Sequence, residues 1–195
     1  MKVVWNVPNV LTLLRVLAAP LLAYFLMRHH YDYALYTFVF AAVSDALDGL
    51  IARRFNQSTY FGAVLDPLAD KLINLTCLVI LTFQALVPLW LMLAIVVRDT
   101  VIVAGAFAYH RLFGEIDIRP TRLGKLHTLS AFLLFIIVLA HASYRFDATW
   151  WLPAFFLLVL FSALGSLAQY VWLWGRRAER EAARRADNGK ETGQK

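Results

Sequence analysis

Four aspartates, Asp45, Asp48, Asp66 and Asp70, crowd the stretch SDALDGLIARRFNQSTYFGAVLDPLADK, which runs from Ser44 to Lys71. Asp45 and Asp48 are i,i+3 and Asp66 and Asp70 are i,i+4, so on helices each pair shares one face. The connection from Phe55 to Phe61 is short and polar, which makes the two helices neighbours and lets all four carboxylates converge. Ionised carboxylates this close repel one another, and each costs roughly 2.5–3.5 kcal/mol at mid-membrane on insertion scales. Lys71, Arg53 and Arg98 could offset some of that charge, but Lys71 follows Asp70 directly and points about 100° away around the helix. Divalent cations in a water-accessible cavity would neutralise the cluster more completely. Hard oxygen donors suit Mg²⁺, Mn²⁺ or Ca²⁺, and no His/Cys set with zinc spacing accompanies them. Two such metals sharing carboxylates make a clamp for phosphoryl transfer.

The residues around the aspartates fit a bulky phosphorylated ligand. Gly49, Ala52 and Gly62 leave walls without large side chains, as a nucleotide beside the metals would need. Arg53 stands where a guanidinium can meet a diphosphate at the membrane edge.

The elements that must position these groups are apolar. Of 195 residues, 61% are hydrophobic and 14% aromatic, and six stretches reach the roughly 17–25 residues that a spanning helix needs. They lie at about 10–28, 34–53, 62–84, 88–110, 124–143 and 150–174. The expected fold is therefore all-α: a polytopic membrane protein with six transmembrane helices in one bundle. The first span is not expected to be a cleavable signal, because Asn6 to Arg15 is polar where an apolar core should begin. With the N-terminus inside, fourteen of the 19 Lys and Arg residues fall on cytoplasmic segments, seven of them beyond Gly175, while Arg28 and Arg145 fall outside. That asymmetry places both termini in the cytoplasm. The net charge of +6 then describes a face against anionic head groups, not a nucleic-acid binder.

Other features carry less chemistry. Trp5, Trp90, Trp150, Trp151, Trp172 and Trp174 lie near span ends, as interface anchors do. The lone Cys77 reads as core packing, and His29 and His30 as surface residues of an outer loop. Arg15 in the first span could snorkel to the interface or meet lipid phosphate. Residues 176–186 read as a charged helical extension, and 187–195 are expected to fray. The division is one membrane domain over 1–175 and a charged cytoplasmic tail over 176–195. Ser162, Ala163, Gly165 and Ser166 permit close helix packing within a chain or in a homodimer.

Asp45, Asp48, Gly49, Ala52, Arg53, Gly62, Asp66 and Asp70 together fill every position of the pattern D-x2-D-G-x2-A-R-x8-G-x3-D-x3-D. In this the sequence resembles the CDP-alcohol phosphotransferase family of membrane enzymes. PNVLTLLR near the N-terminus and LDPLADK look like the branch that makes phosphatidylglycerolphosphate and cardiolipin. The resemblance implies two divalent metals, Mg²⁺ or Mn²⁺, held by Asp45, Asp48, Asp66 and Asp70 against the pyrophosphate of a CDP-diacylglycerol donor. It implies Asp70 as the general base on the acceptor hydroxyl, with CMP leaving. Asp48, Gly49, Ala52, Arg53 and Gly62 would bind the CDP moiety. The setting implied is the cytoplasmic face of a bacterial inner membrane.

The acceptor must be read elsewhere. Arg111, Arg119, Arg122 and Lys125 form a basic segment suited to a phosphorylated acceptor, or simply to a solvated inner face. Arg98 and Asp99 could pair internally across the bundle, or help hold the acceptor. Phosphatidylglycerolphosphate synthases typically carry Arg-Glu in the fourth span and Lys-x-Lys-Thr opening the fifth, where this chain has Arg98-Asp99 and Lys125-Leu126-His127-Thr128. They also carry an Arg in a Gly-Leu-Arg run that this chain lacks. The departures look more like the cardiolipin synthases, whose acceptor is phosphatidylglycerol, with glycerol 3-phosphate as the alternative acceptor. A transporter with an intramembrane cation site is the rival of another class; it would place carboxylates at the midplane of two related halves.

Overall fold

The computed structural model describes the backbone of residues 7–55, 60–113 and 121–192, and side chains over 13–45, 69–109, 111 and 121–176. Among the described residues the chain is all-helical, in the order α1 (Val7–Met27), α2 (Tyr31–Phe55), α3 (Tyr60–Phe83), α4 (Leu89–Phe113), α5 (Arg122–Tyr144) and α6 (Leu152–Thr192). These bounds agree with the six apolar stretches to within a few residues, except at the end of α6. Three of the helices contain segments long and apolar enough to cross a membrane, Leu89–Tyr109, Arg122–Tyr144 and Leu152–Arg176, and Leu13–Met27 is a shorter apolar segment. Apolar side chains also face outward in stripes, Leu13, Leu17 and Leu21 on α1 and Leu89, Leu93 and Val97 on α4. Lipid tails solvate such stripes without cost, so the burial that orders the helices comes from small and polar residues as much as from large ones.

The contacts divide the chain into two compact units. One comprises Met1–Met92 with Phe132–Leu152, the other Leu93–Ala131 with Pro153–Lys195. In the first, α1 packs on α2 and α3. Its buried faces follow helical spacing: Arg15, Ala18, Ala19, Leu22 and Leu26 on α1, Ala34, Phe38, Ala41 and Ser44 on α2, and Ala69, Ile73, Cys77 and Leu81 on α3. Toward the aspartates this core narrows to alanines. Toward the other end it fills with Leu22, Leu26, Phe38 and Leu81, and Phe38 stacks on Phe132 with ring centroids 5.3 Å apart.

The ends of α1, α3 and α5 share one device. His29, Ala85 and Arg145 adopt positive φ of 58°, 59° and 53°, the left-handed turn that commonly closes a helix. The six-to-one bonds His30 N–H to Phe25 O (2.9 Å) and Leu86 N–H to Leu81 O (2.9 Å) complete a Schellman motif after α1 and after α3. A side chain in this region costs about 1–2 kcal/mol that glycine avoids, less the entropy that glycine loses on folding. Ala85→Gly is therefore expected to stabilise the protein by about 0.5–1 kcal/mol, read as a higher midpoint of thermal unfolding in detergent.

The second unit has a polar interior: Thr121, His127, Ser130, Ser162 and Ser166 are buried there. Thr121 caps α5, its Oγ1 accepting from Gly124 N–H at 3.0 Å, which fixes where that helix begins. On α4, a Cβ at Gly105 would fall inside the Trp174 ring of α6, so only a glycine lets the two approach there. The helix α6 runs 41 residues without a break, about 60 Å at the usual rise. The expectation of fraying from Asp187 is thus corrected, since α6 continues to Thr192. The alanines and the i,i+4 charges of the tail favour helix enough to carry it past Gly189.

Candidate active site

Two of the four aspartates have described side chains, and the fold of the first unit brings them together. Asp45 stands on α2, next to the buried Ser44, with its side chain half-exposed. Asp70 stands on α3, exposed, next to the buried Ala69. The two lie within electrostatic reach of each other and of Arg15 on α1. Arg15 is only 2% exposed and is the largest side chain fully buried among the described residues. Its Nη1 donates to Asp45 Oδ1 in an ion pair. On the other carboxylate, Asn74 Nδ2 donates to Asp70 Oδ1 at 3.2 Å and to the Asp70 carbonyl oxygen at 3.0 Å. Each of the two carboxylates thus has one oxygen held by a neighbour.

The remaining members of the cluster lie on the same two helices. Asp48, Gly49, Ala52 and Arg53 fall within α2, and Gly62 and Asp66 within α3, but their side-chain surroundings lie outside the described residues. Arg119 lies outside them altogether. Among the described residues no group of three His, Cys, Asp or Glu gathers around a point. What is described fits a divalent cation by its chemistry. Hard carboxylate oxygens on α2 and α3 lie within electrostatic reach of each other, each carboxylate partly restrained, with Ser44 and Ala69 buried beside them.

The second unit holds the residues assigned to the acceptor. Arg98 on α4 has partners on its own helix and on α6. Its Nη1 lies 2.6 Å from Asp99 Oδ1 and its Nη2 donates to Ser166 Oγ at 2.7 Å. It is mostly buried, and its Nε has no hydrogen-bond partner among the described residues. Arg111, Arg122 and Lys125 are exposed, with the Arg111 guanidinium 4.9 Å from the centroid of the Phe107 ring. His127 is buried, its Nδ1 3.0 Å from Ser162 Oγ, which in turn lies 3.1 Å from Ser130 Oγ.

The sequence reading left Arg15 undecided and passed over Asn74, Ser130 and the hydrogen-bonding role of Ser162 and Ser166. Two of these had a signal. A basic residue inside an apolar span needs a buried partner, and Asn74 is i+4 from Asp70. The serines read as small packing residues because nothing in the sequence shows which side chains face them.

Comparison with known proteins identifies the family. The family model for CDP-alcohol phosphatidyltransferase matches residues 5–173. A human protein named cardiolipin synthase (CMP-forming) is 29% identical over 189 residues, covering 89% of this chain and 62% of the human one. A protein of Aquifex aeolicus named CDP-diacylglycerol--glycerol-3-phosphate 3-phosphatidyltransferase is 40% identical over 127 residues, 64% of this chain and 70% of that protein. A cardiolipin synthase (CMP-forming) of Streptomyces coelicolor is 37% identical over 105 residues, 51% of this chain and 49% of its own. The chain therefore spans about three-fifths of the human relative's length. With the aspartate signature, the paired carboxylates of α2 and α3 and a family match running from residue 5 to residue 173, the chain belongs to the CDP-alcohol phosphatidyltransferase family of enzymes.

Proposed function

We propose that this protein transfers a phosphatidyl group from CDP-diacylglycerol to a glycerol-type acceptor and releases CMP, as a step in phospholipid biosynthesis. The observation that carries the reading is that Asp45, paired with Arg15, lies within electrostatic reach of Asp70, on the two helices that also bear Asp48 and Asp66. Asp45, Asp48, Asp66 and Asp70 would hold the divalent metals, Mg²⁺ or Mn²⁺. Metal bound there supplies positive charge to the phosphoryl oxygens as negative charge builds on them. Asp70, exposed and oriented through Asn74, accepts the proton of the acceptor hydroxyl. The freed oxygen attacks the phosphorus that carries the diacylglycerol, the phosphoanhydride bond breaks, and CMP leaves with the bridging oxygen. Asp48, Gly49, Ala52, Arg53 and Gly62 bind the CDP moiety.

The acceptor we favour is phosphatidylglycerol. Arg98 has its charge matched by Asp99, and His127 is buried against Ser162 instead of offering a second cation near Lys125. Both features suit the single charge of a phosphodiester better than the dianion of a phosphate monoester. Glycerol 3-phosphate is the second reading, because relatives bear names of both kinds. In the topology we propose, all six helices span a bacterial inner membrane, both termini are cytoplasmic, and the site opens to the cytoplasm. The purified protein, given CDP-diacylglycerol and Mg²⁺ or Mn²⁺, should be offered phosphatidylglycerol, glycerol 3-phosphate and inositol phosphate separately. Cardiolipin formed from phosphatidylglycerol is the expected product. Product from glycerol 3-phosphate alone would overturn the assignment of the acceptor.

A further inference from the structure

A basic residue about one and a half turns inside an apolar span has two ordinary explanations. It can extend its long side chain to the head groups, or it can pair within the protein. Arg15 does not reach outward: its side chain is 2% exposed and lies on the buried stripe of α1 with Ala18, Ala19, Leu22 and Leu26. Burying so large a charged group in that stripe excludes a hydrophobic residue from it, which is an odd choice for packing alone. Ala18, Ala19, Ala41 and Ala69 are buried on the same three helices, α1, α2 and α3.

Its partner makes the case specific. Arg15 Nη1 holds one oxygen, Oδ1, of Asp45, while the Asp45 side chain remains 51% exposed. Asn74 restrains Asp70 in a comparable way through its Oδ1. A carboxylate with one oxygen tied has fewer rotamers and turns its other oxygen toward the open side, which is how neighbours outside a metal's ligand set orient the ligands within it.

We propose that Arg15 is a positioning residue of the active site: held in the core of α1, it orients the Asp45 carboxylate for a divalent cation. This rests on the reading of the aspartate cluster as the metal centre. The guanidinium therefore raises cation affinity, although a positive charge near a cation site would by itself lower it.

The test titrates Mn²⁺ into the purified full-length protein in detergent and counts free Mn²⁺ by electron paramagnetic resonance. Arg15→Gln is expected to weaken Mn²⁺ binding by about 10–100-fold, and Arg15→Lys, which keeps the charge and a donor, to recover the larger part of that loss. In an Asp45→Asn background, where Asp48, Asp66 and Asp70 still offer a weaker site, Arg15→Gln is expected to add less than about a twofold change. Tighter or unchanged Mn²⁺ binding by Arg15→Gln would overturn the proposal, as would an equal loss in both backgrounds, which marks a role through the fold. Should Arg15→Gln fail to fold, Arg15→Lys decides: a loss of several-fold that vanishes in the Asp45→Asn background supports the role, and an equal loss in both overturns it. If the unsubstituted protein binds no Mn²⁺, the metal centre itself falls. If it binds Mn²⁺ and releases CMP while Arg15→Gln binds equally well, only the role of Arg15 falls.

Discussion

Asp70→Asn protein should insert, fold and elute as the unsubstituted protein does, yet release CMP at least about 10²–10⁴-fold more slowly. The substitution is nearly isosteric. Its amide oxygen can still accept from Asn74 Nδ2, now 3.2 Å from Asp70 Oδ1, and the Asn74 bond to the Asp70 carbonyl oxygen at 3.0 Å is untouched. Asp70 is exposed and the core beside it is Ala69 and Ile73, so no buried contact is lost. What disappears is an anionic oxygen, which in the proposed mechanism takes the acceptor's proton and is one donor to a metal. The measurement is CMP release from CDP-diacylglycerol with acceptor present, alongside thermal unfolding of the same preparation. Near-normal turnover by a well-folded Asp70→Asn protein would remove Asp70 from the role of base.

Removing divalent cations should have an effect at least as large. Dialysis against EDTA is expected to lower CMP release by on the order of 10³-fold or more, because each lost source of transition-state charge stabilisation costs about 10²–10³-fold. Adding Mg²⁺ or Mn²⁺ should restore turnover. Zn²⁺ should not, since a site of carboxylate oxygens without imidazole or thiolate donors suits hard cations that favour high coordination numbers. The chain's own residues explain why the effect should be steep. Arg15 pairs with Asp45, and one guanidinium carries a quarter of the charge of four ionised carboxylates. On the proposed reading, a cluster stripped of its divalent cations repels the phosphates of the donor. Full turnover in EDTA would mean that the aspartates work as bases and hydrogen-bond acceptors alone.

Much of this was legible along the chain because it is written in local spacing. A run of apolar residues fixes a helix wherever it falls, so the helix bounds were read to within a few residues, from α1 at Val7–Met27 to α5 at Arg122–Tyr144. The i,i+3 and i,i+4 spacing of the aspartates depends on nothing but the helix itself. It placed the cluster on α2 and α3 before any contact was known. The tail was misjudged in one respect, since polarity at Asp187–Thr192 suggested fraying where helix propensity carried α6 on.

Pairing was different. That Arg15 turns inward to Asp45 instead of outward to lipid is a fact about α1 packing on α2, thirty residues away in sequence. That Ser166 and Ser162 are hydrogen-bond partners of Arg98 and His127, and not merely small, depends on which faces of α4, α5 and α6 meet. Periodicity gives each helix a face but not a neighbour, and a polar side chain in an apolar stripe is equally consistent with several partners until packing selects one. By itself, then, the sequence determined the all-helical fold, the family and the helices on which the four aspartates stand, because covalent order and helical pitch suffice for those. The tertiary structure alone decided which cation meets which carboxylate, because a buried charge is stabilised only by the group that packing brings against it.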